Sequence, residues 1–393
     1  MFSKIPRSVW ILGMVSLFTD ISSEMLYPVM PLFLKSIGFT FIGIGFIEGL
    51  AEAAAGLSKI YFGRLSDRKG HYNSWITAGY GSSAFSKILL AFTTLMPLVF
   101  IARLLDRLGK GMRTAPRDAI LAKASTEHTI SRIFALHRAM DTIGAALGPA
   151  IALSILYVMP GKYQFIFAVA CVPAIIGVVL TLYIRKQGTV KELNTARISL
   201  MQALIGKGIA SSHFLRSALP LLLFAVINSS DVFLLLQLKN NGLSDTAVIL
   251  IYILYNVLYA LFAIPAGIAA DRWGKKKILR IGLLCFALVY SGFAFFDNLT
   301  AYYVMFIIYA FYAACMESTS KAYLSGFLGN HEKAGGFGFF SGWQSIALLI
   351  ASLWTGCLWQ LNLAHIAFGI SAVGALMAIF MLGTEKRINT SEQ

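Results

Sequence analysis

Residues 63–70 read GRLSDRKG, and residues 267–274 read GIAADRWG. The two octapeptides share Gly63/Gly267, Asp67/Asp271, Arg68/Arg272 and Gly70/Gly274 at a separation of 204 residues. Lys35 and Gly38 return at that same separation as Lys239 and Gly242. Ser22-Ser23-Glu24 returns at a separation of 207 as Ser229-Ser230-Asp231. Several matches nearly in register point to an internal duplication of two parallel halves. Each octapeptide follows a long apolar run, so the nature of those runs decides what is duplicated.

Of the 393 residues, 58% are hydrophobic and 13% charged, too few polar groups to coat a soluble domain of this length. At about 20 apolar residues per crossing, twelve spans are read at 8–34, 39–62, 73–95, 97–121, 133–158, 163–184, 216–238, 244–268, 278–296, 299–323, 336–360 and 363–383. The expectation is an all-α membrane protein of two pseudo-symmetric six-helix bundles, 1–184 and 216–393, joined by a polar cytoplasmic linker over 185–215. The first run carries two acids and no small-residue cleavage site follows it, so it reads as a span rather than a cleavable leader. The formal net charge of +15 is not read as a nucleic-acid footprint, because the Lys and Arg residues are concentrated on one side of the spans. The loops opposite the termini hold only Lys35, Lys162 and Lys239. Positive-inside bias then puts both termini in the cytoplasm and the chain in the inner membrane, with the lipid bilayer as its partner. Four cysteines without paired spacing argue against a disulfide frame or a metal site.

At these octapeptides the sequence resembles the major facilitator superfamily, over essentially the whole chain. The family's motif between the second and third helices runs Gly-x-Leu-x-Asp-Arg-x-Gly and then basic residues. Gly63, Leu65, Asp67, Arg68 and Gly70 match it, with His71 where a basic residue is common, and Gly267, Asp271, Arg272 and Gly274 keep it in the second half. The resemblance implies a conformational latch of Gly63, Asp67, Arg68, Gly70, Asp118, Asp271 and Arg272. Asp67 would accept from a neighbouring helix N-terminus, and Arg68 would pair with an acid such as Asp118. The antiporter motif of the fifth helix is met by Gly144, Gly148 and Pro149, while Ala135 and Ala152-Leu153 depart from it. That likeness favours export.

The fourth span is amphipathic in an unusual way. At 100° per residue, Arg103, Asp106, Arg107, Lys110, Arg113, Arg117 and Asp118 fall within an arc of about 140°. Such a stripe must face protein or a wet cavity rather than lipid, and the resemblance places the first, fourth, seventh and tenth helices around a central cavity. Bases outnumber acids there, so Arg103, Arg107, Lys110 and Arg113 are candidates for an anionic substrate group. Asp106 and Arg107 depart from the family's fourth-helix pattern. Asn228, Asn256 and Gln344, with Trp343, are candidate substrate contacts.

Asp20 and Glu24 share one face of the first span, and Asp231 repeats Glu24 in the seventh. A membrane-buried carboxylate either holds a cation or takes up a proton, which makes these three the candidate proton-coupling groups. Glu48 and Glu52 are read as structural partners of Lys59 or Lys87, Glu317 with Lys321 as a gating or packing pair, and His137, Arg138 and Asp141 as a compact group whose histidine is read as structural, with a proton relay as the alternative. Tyr80, Tyr302, Tyr303 and Trp10 fit interfacial anchoring.

These features predict a monomeric, proton-coupled secondary-active transporter working by alternating access. Its cargo would be a small organic molecule with an anionic group, moved outward in exchange for protons. Symport uptake of an organic anion or siderophore is the alternative, and a transport-inactive sensor or lipid scramblase on the same fold is the alternative of another class. No catalytic constellation, nucleotide-binding loop, cofactor motif or channel-filter repeat is found, which argues against an enzyme, ATP drive and a channel.

Overall fold

The computed structural model describes residues 5–27, 29–39, 41–184, 211–228, 231–243, 245–296, 298–329 and 331–384. Among them every regular element is a helix. The first half holds α1 (Arg7–Leu26), α2 (Met30–Ser36), α3 (Phe41–Lys69), α4 (Tyr72–Phe92), α5 (Met96–Lys123), α6 (Ile130–Val158) and α7 (Tyr163–Thr181). The second holds α8 (Ser212–Ile227), α9 (Val232–Asn240), α10 (Asp245–Trp273), α11 (Lys275–Phe295), α12 (Leu299–Ser325), α13 (Lys333–Gln360) and α14 (Ala364–Thr384).

Two spans read as single helices are broken. The first divides between α1 and α2 and the seventh between α8 and α9. In the sequence Pro28 follows α1, and the residue before proline is biased away from helix. Asn228-Ser229-Ser230-Asp231, which separates α8 from α9, is a run of side chains that compete for backbone hydrogen bonds. The Asp231 carbonyl accepts from Leu234 N (3.1 Å) and Leu235 N (3.2 Å), so the chain restarts its helix there. The fourteen described helices thus make up twelve spans. Eight of them are apolar and long enough to cross a bilayer on their own composition. Of the reading of 185–215 as a linker, residues 185–210 lie outside the described residues.

The duplication is visible in the packing. α1 pairs with α6 and α7, and α8 correspondingly with α13 and α14; α5 pairs with α3 and α4, and α12 with α10 and α11. Contacts between the halves obey the same symmetry, α3 on α13 matching α6 on α10, and α5 on α13 matching α6 on α12. The glycines ending the two octapeptides have positive φ, +66° at Gly70 and +98° at Gly274, a backbone state that only glycine adopts without cost.

The octapeptides themselves close one end of the bundle, here the motif end. Asp67 accepts from the amides of Ala334 (3.3 Å) and Gly335 (2.5 Å), in the first turn of α13. Asp271 accepts from the amides of Ser131 and Arg132, both at 3.0 Å, in the first turn of α6. Neither α6 nor α13 has a capping side chain of its own at its N-cap, Thr129 or Glu332. Each is therefore capped by a carboxylate from the opposite half, where the orphan amides and helix dipole favour an anion. The approach requires Gly63 and Gly267: a methyl on Gly63 would lie 2.5 Å from the Ala334 carbonyl, and one on Gly267 2.9 Å from that of Ser131. Tyr72 fixes Asp67 from the side (2.6 Å) and in turn accepts from Lys123 (2.8 Å). Arg272 is exposed, and Arg68 takes no part in the Asp67 contacts.

Losing an N-cap carboxylate costs about 1 kcal/mol, or about a fivefold change in a two-state balance. Asp67→Ala and Asp271→Ala should each move the protein towards a state open at the motif end. Spin labels at exposed Lys69 and His331 should then show a longer second distance population; an unchanged distribution in both variants would refute a closing role for these caps.

Candidate functional site

The acids of α1 meet α6, and the reason lies in the small residues of α6. A methyl on Gly144 would fall 2.7 Å from the Leu17 carbonyl and 3.0 Å from Asp20 Cβ; one on Gly148 would fall 2.6 Å from the Ile21 carbonyl and 2.9 Å from Glu24 Cβ. Gly144 and Gly148 thus press α6 against the stretch of α1 that bears both carboxylates, with Pro149 buried beside them. Asp141 stands one turn before Gly144 on that same face. Its carboxyl lies close to that of Asp20 across the α1–α6 contact. It accepts from Ser16 Oγ (2.5 Å) and from Arg138 Nη1 (2.8 Å). Two carboxyl groups held this close repel one another when both are ionised, and a single proton between them relieves that repulsion.

From this pair two threads run to the other half. Arg138 donates to Tyr259 Oη (2.6 Å) on α10 and lies 3.9 Å from Glu317 on α12. Ser16 accepts from Arg117 (3.4 Å), Arg117 pairs with Asp118 (3.3 Å), and Asp118 pairs with Lys321 (2.5 Å) on α12. Asp118 therefore meets Lys321 rather than Arg68. Glu317 and Lys321 each reach across to the first half rather than to one another, because Arg138 and Asp118 lie opposite them. His137 is buried among these charges, and its Nε2 has no hydrogen-bond partner among the described residues, unlike a satisfied structural histidine.

The charged stripe of α5 is largely committed to protein. Asp106 pairs with the buried Lys87 (3.4 Å). Arg113 is buried, donating to Ser83 (2.5 Å) with its guanidinium over the Tyr80 ring at 4.5 Å. Arg103 is buried and Arg107 half-buried. Lys110 is exposed, with no ion pair or side-chain hydrogen bond among the described residues. The cationic charges acting most strongly on Glu24 are those of Lys110 and Arg107. Lys59 donates to Ser345 (2.8 Å) across the halves; the side chains of Glu48 and Glu52, expected to pair with Lys59 or Lys87, lie outside the described residues.

In the second half, Asn228, Asp231 and Gln344 line a cavity of about 140 Å³ just beyond the cross-half contacts. Its walls are aromatic, with Tyr255, Tyr259, Tyr309 and Tyr312, and Tyr309 Oη donates to Asp231 at 2.5 Å. Asn256 is not part of this lining; it is buried and donates to the Tyr252 carbonyl on its own helix (3.0 Å). Nor are Tyr80 and Tyr302 interfacial anchors: both are buried, the first under Arg113 and the second stacked on Phe293 at 5.0 Å. Tyr303 and Trp10 are exposed, as anchors should be.

Sequence reasoning grouped Arg138 and Asp141 with His137 but missed their contacts with Tyr259 and Asp20, and it missed the tyrosine wall. Their signals were spacings. Asp141, Gly144 and Gly148 follow i, i+3, i+7, and Tyr252, Tyr255 and Tyr259 repeat the same interval on α10. Tyr309, Tyr312 and Met316 repeat it on α12.

The sequence profile of the Major Facilitator Superfamily matches residues 12–238 and 221–392. An MFS-type transporter of Methanocaldococcus jannaschii is 31% identical over 367 residues, covering 91% of this chain and 90% of that protein. A homolog of the multidrug resistance efflux pump PmrA, from Lactococcus lactis, is 29% identical over 150 residues, 35% of this chain and 34% of that one. Among solved structures, the E. coli fucose:proton symporter FucP superposes with a TM-score of 0.80 at 13% identity, covering 97% of this chain and 98% of that one.

Gly148→Ala should lower the stability of the purified protein by about 1–3 kcal/mol through overpacking, read as a drop in midpoint by thermal unfolding in detergent. Gly81→Ala, which faces open space, should not. Equal behaviour of the two would mean that α1 and α6 yield freely and that the acid pair does not depend on their contact.

Proposed function

The chain belongs to the Major Facilitator Superfamily, and on that footing we propose that it is a proton-coupled, alternating-access exporter of a small organic molecule bearing an anionic group. That it is a multi-pass membrane transporter and not an enzyme follows from the family. The coupling, the direction and the cargo are the proposal. The observation that carries it is the Asp20–Asp141 carboxyl pair, set between α1 and α6 and tied through Arg138 to the contacts that hold the halves together.

The mechanism follows from who competes for Arg138. With Asp141 ionised, Arg138 is anchored by a 2.8 Å bond and holds Tyr259 and Glu317 of the second half. A second proton on the acid pair removes the charge that anchors Arg138 and weakens the bridge. The Ser16–Arg117–Asp118–Lys321 thread shares Asp141 and loosens with it. The lysine- and arginine-rich side is taken as cytoplasmic, so the closed motif end faces the cytoplasm and the cavity faces outward. Protons then enter from outside, the motif end opens, and the proton is released inward as cargo is taken up for export. The likeness to a PmrA-type efflux pump supports that direction. Lys110, free of protein partners among the described residues, and Arg107 supply the cationic contact for the anionic group, beside Glu24.

Two measurements test this in proteoliposomes with an imposed pH gradient, screened against organic acids. Asp20→Asn should retain gradient-independent exchange of the cargo but lose uphill movement, because it can no longer share and release a proton. If Asp20→Asn and Glu24→Gln both still drive uphill transport with unchanged pH dependence, proton coupling through α1 is wrong. Lys110→Gln should raise the KM for an acidic cargo about tenfold, the loss of one charge-assisted hydrogen bond, with little effect on neutral compounds.

A further inference from the structure

The cavity in the second half has a chemistry opposite to that of the α5 stripe. Its lining carries two carboxylates, Asp231 and Glu317, and the amide oxygens of Asn228 and Gln344. Asp231 receives one hydrogen bond, from Tyr309 Oη, and makes no ion pair among the described residues. Asn228 donates through Nδ2 to Tyr312 Oη (3.1 Å), while its buried Oδ1 has no partner among the described residues. The two cations that reach the lining are bound elsewhere: Arg138 to Asp141 at 2.8 Å and Lys321 to Asp118 at 2.5 Å, both acids of the first half. Glu317 adds a further carboxylate, 3.9 Å from Arg138.

Around these acceptors the walls are tyrosine rings in mutual contact. Tyr255 and Tyr309 have centroids 5.4 Å apart, Tyr309 and Tyr312 5.2 Å, and Tyr255 and Tyr259 6.0 Å. A buried carboxylate without a cation is costly, and aromatic walls hold cations rather than anions, because the ring faces are negative. An orphan amide oxygen beside it asks for an N–H donor. The volume of about 140 Å³ admits a small group rather than a large hydrophobic drug.

We propose that this recess is an ammonium-binding subsite, with Asp231 and Asn228 Oδ1 accepting from the N–H groups and Tyr255, Tyr309 and Tyr312 surrounding the charge. The inference deepens the transport reading above: the cargo is amphoteric, its amine held by the second half and its acidic group by Lys110 and Arg107 of the first. A cargo that spans both walls touches both halves, which is what couples its binding to their relative movement.

The test is equilibrium binding to the full-length protein in detergent, without any gradient, by titration calorimetry with benzylammonium, benzyl alcohol and benzoate. Benzylammonium should bind at least about tenfold more tightly than benzyl alcohol. Asp231→Asn, which still accepts from Tyr309 and so keeps the local fold, should abolish that preference. Lys162→Gln, which removes an exposed loop charge outside the recess, should leave benzylammonium binding unchanged. Equal affinity for benzylammonium and benzyl alcohol would overturn the proposal, as would unchanged benzylammonium binding in Asp231→Asn; an Asp231 that merely carries a proton gives the first of these results. Retained midpoints in thermal unfolding guard against a misfolded variant, and Tyr312→Leu, which removes a ring and no charge, should weaken the ammonium alone. Because no proton gradient is involved, failure here leaves the coupling role of Asp20 and Asp141 standing. Conversely, loss of coupling in Asp20→Asn leaves ammonium binding intact.

Discussion

Two carboxylates lying on the bare amides of helices from the opposite half hold this structure in its closed form. Asp67 on α13 and Asp271 on α6 are related by the internal duplication, so closure is made twice by the same chemistry. Each bond uses groups that are unsatisfied within their own half: the first amides of a helix and an acid at a helix end. When the halves part, water at the membrane edge replaces the lost partner. Opening therefore costs about 1 kcal/mol per cap rather than the several that an unpaired group would cost in hydrocarbon. A transporter needs its two states to lie close in energy, and a contact that water can replace satisfies that need better than a packed apolar seam.

Deeper in the bundle water cannot substitute, and the same problem takes a different form. Charges there are held in pairs that cross helices. Lys87 meets Asp106 inside the first half, whereas Arg138 and Lys321 belong to opposite halves and reach over the seam in opposite directions. The acid pair Asp20–Asp141 shares one end with Arg138, so a change in its proton count alters a bond on which the seam depends. In the coupling proposed above, proton occupancy and the position of the halves are linked by a partner that can be fully engaged only in one state.

The duplication, the helical class and the spans were legible because their signals are local or periodic: an octapeptide, a run length, a charge bias. The stripe on α5 was legible as a stripe, since helical periodicity is regular. What it touched was not, because partners such as Ser83, Tyr80 and Lys321 arrive from other helices with no constraint in the local sequence. Counting charges overestimated the free basic surplus for that reason; Arg113 and Arg117 are spoken for, and Lys110 is not. The antiporter-like glycines were found by motif, yet their physical role is to bring Asp141 to Asp20, a consequence visible only once α1 and α6 are laid together. Tyr80 and Tyr302 misled because an amphipathic ring suits an interface and a polar core equally well. The divisions between α1 and α2 and between α8 and α9 were missed since an apolar window averages over a single proline or a short polar run.

Duplication also explains why the two walls of the cavity differ. Glu24 and Asp231 are paired by the repeated Ser-Ser-acid triplet, and α5 and α12 occupy equivalent places in their halves. On α5 the cations acting on Glu24 are a lysine and an arginine; on α12 the side chain bonded to Asp231 is a tyrosine. Glu24 thus has cationic neighbours in Lys110 and Arg107, while Asp231 has the Tyr309 hydroxyl. A symmetric pair of walls would hold a cargo equally well in two orientations. Walls of opposite character hold it in one, because reversing it would set like charge against Lys110 and leave Asp231 without a counter-charge. Divergence at these few positions converts a symmetric frame into a directional site while leaving the frame, and its alternation, unchanged.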